Sequence, residues 1–577
     1  MSPRKSSTTY KPLVVTLPLY TNFNLFMNRN LILGLVCLLA VSLLPAQEDK
    51  PTPTDWPHLD LQDDGYPGMS TYKAYRQLLD GKASQTVIVA IIDSGVDAEH
   101  EDLADVMWVN EDEIPDNGID DDNNGYIDDI HGWNFIGGAD GESVNGENLE
   151  IVRLYQRGKE RFEGADVSKL SKSARREYEQ YKEYEEIIEK KREELQPNVM
   201  LYSRTLDMMD ALVEEIGKEP ENIKLADVEK YAEAEGNVGK AAQFMSGIMA
   251  KGETFSGIYE QVQGAATYFD DSYNYNWNPE FDAREIVGDN PADVDDRNYG
   301  NNDVEGPDAL HGTHVAGIVG AIRGNGIGMD GVASNVRIMS VRAVPNGDER
   351  DKDVANAIRY AVDNGATVIN MSFGKGYSPY KDAVDDAIRY AMSKDVVLVH
   401  AAGNDGKENQ FDNNYPNDKF DRRGLFGPKY AENWIEVGAM TPHYDETLTA
   451  SFSNWSADKV DVFAPGTEIY ATVPDDQYQN LQGTSMAAPM VAGLAATLRS
   501  YFPDLTATQV KQIIMDSSVR PEQLVRVPGS DGDQEMLSEL SVTGGVANTF
   551  RAIQMAMNTQ GRKKKAASRD TALIPRA

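Results

Sequence analysis

At residues 483–489 the chain reads Gly483-Thr484-Ser485-Met486-Ala487-Ala488-Pro489, and this stretch decides the fold more than any other. Gly483 lets the backbone approach another molecule closely, and the two alanines allow a first helical turn to be buried. Pro489 is expected in that turn, where a missing N–H costs least. Residues 490–499 continue as an apolar helix, whose positive dipole end would favour developing negative charge at Ser485. The stretch therefore predicts a nucleophilic serine at a helix start, with a helix-capping serine as the alternative.

Two further motifs supply the partners that a nucleophilic serine needs. Residues 86–93 read as a buried parallel strand ending at Asp93, and active sites in open α/β sheets lie at such strand ends. His311 is followed by small residues and an apolar helical run to Ala321. A serine nucleophile needs a base with a pKa near neutrality, and the base needs an orienting carboxylate. Asp93, His311 and Ser485 can fill these three roles.

The order Asp, His, Ser with these flanking residues resembles the subtilisin-like serine peptidases, over about residues 81–138 and 285–520. The resemblance implies an α/β fold with a mostly parallel central sheet and helices on both faces. It also implies that the reaction is cleavage of polypeptide substrates.

Two more segments match this family. The strand-like run 396–403 ends at Asn404, and the resemblance implies that Asn404 and the Ser485 backbone N–H form an oxyanion hole. The alternative for Asn404 is a turn residue that tolerates a positive φ. By the same resemblance, the edge formed by Ser372, Phe373 and Gly374 pairs with the peptide that precedes the scissile bond.

The composition limits the classes of partner. The chain is 41% hydrophobic and 26% charged, which is ordinary for a globular protein. Asp and Glu total 93 against 55 Lys and Arg, for a net charge of −38. Such a balance argues against nucleic-acid binding and favours solubility and cation uptake. The composition predicts no oligomeric state.

Residues 1–46 are predicted to be a secretory signal peptide. The apolar run 31–44 follows Arg29, is too short to span a membrane, and ends at Pro45-Ala46. The mature protein is therefore expected to be extracellular or periplasmic, without a transmembrane anchor; Met27 is an alternative start. The only cysteine, Cys37, lies in this run, so the mature chain should form no disulfide. Lipidation of Cys37 is the alternative reading.

The rest of the chain divides into five parts. They are a short N-terminal extension (47–80), a first peptidase segment (81–140), an inserted α-helical region (141–284), a second peptidase segment (285–520) and a C-terminal extension with a basic tail (521–577). The N-terminal extension is too short for the inhibitory prodomain of many subtilases. The insertion could be a lid, a partner-docking arm, a substitute for the prodomain, or a stable decoration.

Acidic side chains at 116–129 predict a calcium site. Asp120, Asp122, Asn124 and Asp128 follow the first nine positions of an EF-hand loop, although His131 replaces the usual terminal Glu. A simple acidic turn is the alternative. Asp102 and Asn325 resemble positions at which subtilases commonly bind another calcium. His314 and His400 are predicted to be structural, because both lie in apolar segments.

Together the motifs predict a secreted serine endopeptidase with calcium as its structural cofactor. A peptide ligase or cyclase using the same acyl-enzyme is the alternative within enzymes. A catalytically silent binding protein that keeps the fold is the alternative outside enzymes.

Overall fold

A computed structural model describes residues 51–422 and 427–562, of which those from 53 onward belong to one compact unit. The predicted signal peptide, Cys37 and the basic residues 563–565 lie outside the described residues, and the expectations about them stay predictions.

The described strands are β1 (Val87–Asp93), β2 (Gly132–Asn134), β3 (Val336–Arg342), β4 (Val368–Met371), β5 (Val397–Ala401), β6 (Trp434–Met440), β7 (Val462–Pro465), β8 (Ile469–Val473), β9 (Gln477–Leu481), β10 (Leu524–Arg526) and β11 (Gln534–Met536). The described α-helices are α1 (Thr71–Ala74), α2 (Glu150–Phe162), α3 (Lys172–Ile216), α4 (Leu225–Val228), α5 (Gly236–Met249), α6 (Phe255–Asp271), α7 (Arg284–Val287), α8 (Leu310–Gly320), α9 (Asp351–Asp363), α10 (Lys381–Ser393), α11 (Thr484–Tyr501), α12 (Ala507–Asp516) and α13 (Thr549–Met557).

The central sheet has the strand order β2-β3-β1-β4-β5-β6-β7, and every pairing in it is parallel. Its strands are buried along almost their whole length, as expected when helices cover both faces of a parallel sheet. Two antiparallel hairpins, β8-β9 and β10-β11, lie outside the sheet. The predicted α/β fold is confirmed.

Alternating side chains of β1 enter two separate apolar cores. Val89 and Ile91 belong to the core that also holds residues of α8 and α11. Ala90 and Ile92 belong to the opposite core, together with residues of α9 and α10. This two-residue alternation lets helices pack on both faces of the sheet. Because the strands are parallel, the carboxyl ends of β1, β4 and β5 lie at one common edge.

The segment between β2 and α8 contains helices α2 to α7. Helix α3 runs from Lys172 to Ile216, and its buried face includes Tyr181, Ile188, Leu195 and Met209. Helices α2, α5 and α6 pack against it. None of the described helices is both long enough and apolar enough to span a membrane.

The N-terminal segment is tied to the C-terminal helix α13. Asn548 donates a hydrogen bond from Nδ2 to the hydroxyl of Ser70 at 2.8 Å, and the hydroxyls of Thr71 and Thr549 are 3.1 Å apart. Trp56 is fully buried in the same core as α11, and its indole N–H donates to the carbonyl of Glu468. The N-terminal extension is thus part of the folded body.

Replacing Trp56 should test how much this segment stabilises the protein. We expect Trp56→Ala to lower the free energy of unfolding by about 3–5 kcal/mol, because it removes a large side chain from a closed core. The exposed Tyr444→Ala should change it by less than about 0.5 kcal/mol. Urea unfolding followed by circular dichroism measures both, and equal stabilities would contradict the expectation.

Candidate active site

Ser485 lies in the first turn of α11. The helix begins at Thr484, and Gly483 precedes it with φ of 153°, a conformation that favours glycine. Ser485 is half-buried, while its neighbours in the helix are buried. Its hydroxyl donates to the carbonyl of Ser372 at 3.2 Å.

Pro489 does not lie in the first turn, so that part of the sequence prediction is wrong. The helix already begins at Thr484, and Pro489 lies inside it. In a regular α-helix its N–H would bond to the carbonyl of Ser485, but proline has no N–H. That carbonyl instead accepts a hydrogen bond from the hydroxyl of Ser372 at 2.8 Å. The proline therefore frees a backbone group that ties Ser485 to the end of β4.

His311 lies at the start of α8 and contacts the carboxylate at the end of β1. Its Nδ1 is 2.7 Å from Oδ1 of Asp93, and the backbone N–H of Ser94 donates to the same oxygen at 2.8 Å. A Cβ added to Gly312 would lie 2.0 Å from the carbonyl oxygen of Gly95. The glycine after the histidine is therefore required for the helix and the strand to approach this closely.

Burial and charge act in opposite directions on His311. Burial alone would lower its pKa, but the negative charge and hydrogen bond of Asp93 outweigh this, so the pKa is raised. The Asp93 side chain is 2% exposed and that of His311 is 37% exposed. Because Nδ1–H donates to Asp93, Nε2 is the ring nitrogen that remains free to exchange a proton.

Asn404 is an exposed residue three positions after the end of β5. The helix that contains Ser485 also fixes the position of the Asn404 side chain. Its Oδ1 accepts hydrogen bonds from the backbone N–H of Thr484 at 2.8 Å and from the Thr484 hydroxyl at 3.0 Å. These bonds occupy the oxygen, so the amide NH₂ remains as the donor. The importance of Thr484 was missed from the sequence, although the residue lies in the motif beside Ser485.

A cleft of about 620 Å³ lies at this edge of the sheet. It is lined by Ser485 and Asn404 and by the three residues predicted to bind peptide, Ser372, Phe373 and Gly374. The backbone of Lys375 pairs with that of Tyr415 in both directions, at 2.9 and 3.0 Å. The segment 372–374 therefore lies between the end of β4 and the backbone pair formed by Lys375 and Tyr415.

The two histidines predicted to be structural are buried. Nε2 of His314 is about equally far from the carbonyl oxygens of Ile469 and Gln479, at 3.0 and 3.1 Å. Burial lowers the pKa of His314 to about 4. Nδ1 of His400 is 2.9 Å from a carboxylate oxygen of Glu436. Both rings thus have partners inside the protein.

The acidic loop brings together only part of its predicted calcium ligands. Carboxylate oxygens of Glu113, Asp120 and Asp122 lie within 4.8 Å of one another. The carboxylate of Asp128 instead accepts from the backbone N–H groups of Asn117 and Gly118. The side chain of Asn124 donates to Asp122 and to Asp129. Glu113 was missed because it precedes the loop whose spacing was compared with an EF-hand.

Asp102 and Asn325 are in direct contact. Asp102 is fully buried, its Oδ1 accepts from Nδ2 of Asn325 at 2.7 Å, and Oδ2 accepts from the backbone N–H of Met329 at 3.3 Å. Burial raises the pKa of this carboxyl, and this outweighs the hydrogen bonds from Asn325 and Met329, which lower it.

Several known proteins resemble part of this chain. It is 41% identical over 223 residues to the thermophilic serine proteinase of Bacillus sp. (strain AK1), which is 38% of this chain and 49% of that protein. It is 40% identical to subtilisin DY of Bacillus licheniformis, over 35% of this chain and 67% of that protein. It is 41% identical to thermitase of Thermoactinomyces vulgaris, over 33% of this chain and 61% of that protein.

The match to the first of these relatives spans about half of its length. A model of the subtilase family matches residues 84–550, which include every strand of the central sheet together with Asp93, His311 and Ser485. By this match and by its parallel sheet, the chain belongs to the subtilase family.

Proposed function

We propose that this chain is a serine endopeptidase that hydrolyses polypeptides through an acyl-enzyme at Ser485. The observation that carries the proposal is the contact of 2.7 Å between His311 and a buried Asp93, at the edge of the sheet where Ser485 and Asn404 line one cleft. Membership of the subtilase family supports the same reaction.

In the proposed reaction, His311 is the base and then the acid. The Ser485 hydroxyl exchanges its bond to the Ser372 carbonyl for one to Nε2 of His311, a change typical of sites that tighten when substrate binds. Nε2 takes the proton as Oγ attacks the scissile carbonyl, and later gives it to the leaving amine. Asp93 holds the ring through Nδ1 and stabilises the imidazolium. Water then releases the acyl group by the same steps.

Asn404 and the backbone N–H of Ser485 are proposed to stabilise the oxyanion. The bonds from Thr484 hold Oδ1 of Asn404, so its NH₂ is free to donate. In a subtilisin, loss of one such donor costs about 3–4 kcal/mol of transition-state stabilisation. The segment from Ser372 to Gly374 is proposed to pair with the substrate backbone ahead of the scissile bond.

Calcium is proposed as a structural ion. The buried carboxylate of Asp102 beside Asn325, and the oxygens of Glu113, Asp120 and Asp122, are the hard donors that calcium prefers. Asn124 and Asp128 are proposed as supporting residues of the acidic loop. Bound calcium would neutralise these carboxylates and stabilise the folded state. Secretion, proposed from the apolar run 31–44, would provide millimolar-range calcium suited to weak sites.

The nucleophile is tested with casein as substrate. We expect Ser485→Ala to reduce cleavage by a factor on the order of 10⁶, the loss known for subtilisin, because no acyl-enzyme can form. Ser173→Ala, in the insertion, should cleave like the parent protein. Release of fragments is followed by mass spectrometry. Equal cleavage by the parent and by Ser485→Ala would contradict the proposal.

The pH dependence tests His311. Because the neutral imidazole is the base and its pKa is raised, kcat/KM should increase with pH through an apparent pKa above the ordinary value of about 6.5. Asp308 also raises this pKa. Asp308→Asn should therefore move the acid limb to lower pH while kcat at high pH is kept. Asp93→Asn should move it in the same direction and also lower kcat by about 10⁴. An acid limb that neither variant moves would contradict the assignment.

Calcium binding is tested by thermal unfolding of the Ser485→Ala protein, which cannot digest itself. A ligand at 100 times its Kd stabilises the folded state by about 2.7 kcal/mol, so chelation should lower Tm measurably. Asp102→Ala and Asp120→Ala should each reduce the effect of calcium, whereas the exposed Asp405→Ala should not. A Tm that chelator leaves unchanged would rule out the proposed ions.

A further inference from the structure

The cleft beside Ser485 is lined by more than the central sheet and its flanking loops. It also contains three apolar side chains of the helical insertion, here called the insertion wall: Leu149, Ile151 and Trp277. Leu149 and Ile151 lie at the start of α2, and Trp277 follows α6. The two ends of the insertion therefore meet at the cleft.

The insertion wall has its own apolar support. Ile151 is buried with Val152, Tyr184 and Ile188, and Leu149 and Trp277 pack against this cluster while staying half-buried. Tyr377 also lines the cleft, and its ring is 5.7 Å from that of Tyr184. Leu149 and Trp277 thus keep apolar surface that faces the cleft.

Buried charges fix the start of α2 to the rest of the protein. Lys375 Nζ is 3.1 Å from Glu150 and 2.9 Å from Asp351, and the Lys375 and Glu150 side chains are each only 2% exposed. Arg350 pairs with Glu147 at 2.8 Å. Moving this helix away would break these ion pairs between buried charges, which is unfavourable.

Hydrogen bonds fix the backbone of the wall itself. The carboxylate of Asp348 accepts from the backbone N–H of Glu150 at 2.7 Å, and Arg153 donates to the carbonyl of Asp348 at 2.9 Å. At the other end, Arg192 donates to the carbonyls of Tyr273 and Trp277 at 2.7 and 2.9 Å. These contacts favour a fixed wall over a lid that opens.

We propose that the insertion wall is a specificity site, which selects polypeptides with a bulky apolar side chain on the N-terminal side of the scissile bond. This rests on the proposed peptidase function. Lys375, which pairs with the start of α2, directly follows Ser372–Gly374, the segment proposed to bind the peptide ahead of that bond. An apolar substrate side chain placed there would be removed from water against Leu149 and Trp277.

The test uses internally quenched peptides of alanine, in which leucine or serine is placed in turn at each of the four positions before the scissile bond. Mass spectrometry confirms the bond that is cut. For the parent protein, kcat/KM for the leucine peptide should exceed that for the serine peptide at least tenfold at one position. The ratio is taken within one preparation, so the fraction of folded enzyme cancels.

Leu149→Ala and Trp277→Ala should each reduce this ratio several-fold toward one, while Tyr268→Ala should leave it unchanged. Tyr268 is an aromatic residue of the same insertion that is 62% exposed. Leucine placed after the scissile bond should give ratios that none of the variants alters. Because Leu149 is half-buried, its variant remains informative if Trp277→Ala does not fold.

A fluorophosphonate probe that labels Ser485 separates the two proposals. Two results, each obtained with a parent protein that the probe labels, would overturn the insertion wall as a specificity site. One is a leucine-to-serine ratio near one at all four positions, and the other is a ratio that Leu149→Ala does not change. Either result would leave the peptidase proposal standing. Absence of labelling and of cleavage in the parent protein would overturn both.

Discussion

The close approach of α8 to the end of β1 is the constraint on which the site depends. A side chain at position 312 would collide with the carbonyl of Gly95, so only glycine lets the helix bring His311 within 2.7 Å of Asp93. Strand β1 is central in the parallel sheet, between β3 and β4. Strands β4 and β5 end at the same edge, and they are followed by Ser372 and Asn404. The close approach of Gly312 to the Gly95 carbonyl therefore brings together His311 and Asp93, which are far apart in sequence.

Residues whose roles are local could be predicted from the sequence. The strand that ends at Asp93, the small residues after His311 and the helix after Ser485 each contain their structural signal within a few residues. The position of Pro489 was predicted wrongly because the helix begins at Thr484, and a helix start is the least certain feature of a sequence pattern. The roles of the predicted site residues stay proposals.

Residues whose roles depend on distant partners could not be predicted. Glu113 joins Asp120 and Asp122 only because the chain folds back before the acidic loop. The place of the insertion is set by charge pairs between Glu150 and Lys375, which are 225 residues apart. A helical pattern shows which face of a helix is apolar, but it does not show which cleft that helix will border.

The bonds that join the N-terminal segment to α13 have a consequence for how the chain acquires its structure. Ser70 and Thr71 contact partners 478 residues away, so these bonds cannot form until Asn548 and Thr549 have been synthesised. Contacts of such high sequence separation slow folding. Where they form after the rate-limiting barrier of folding, they also slow unfolding. Where a protease cleaves the open form faster than it recloses, a slow rate of opening protects the chain from degradation.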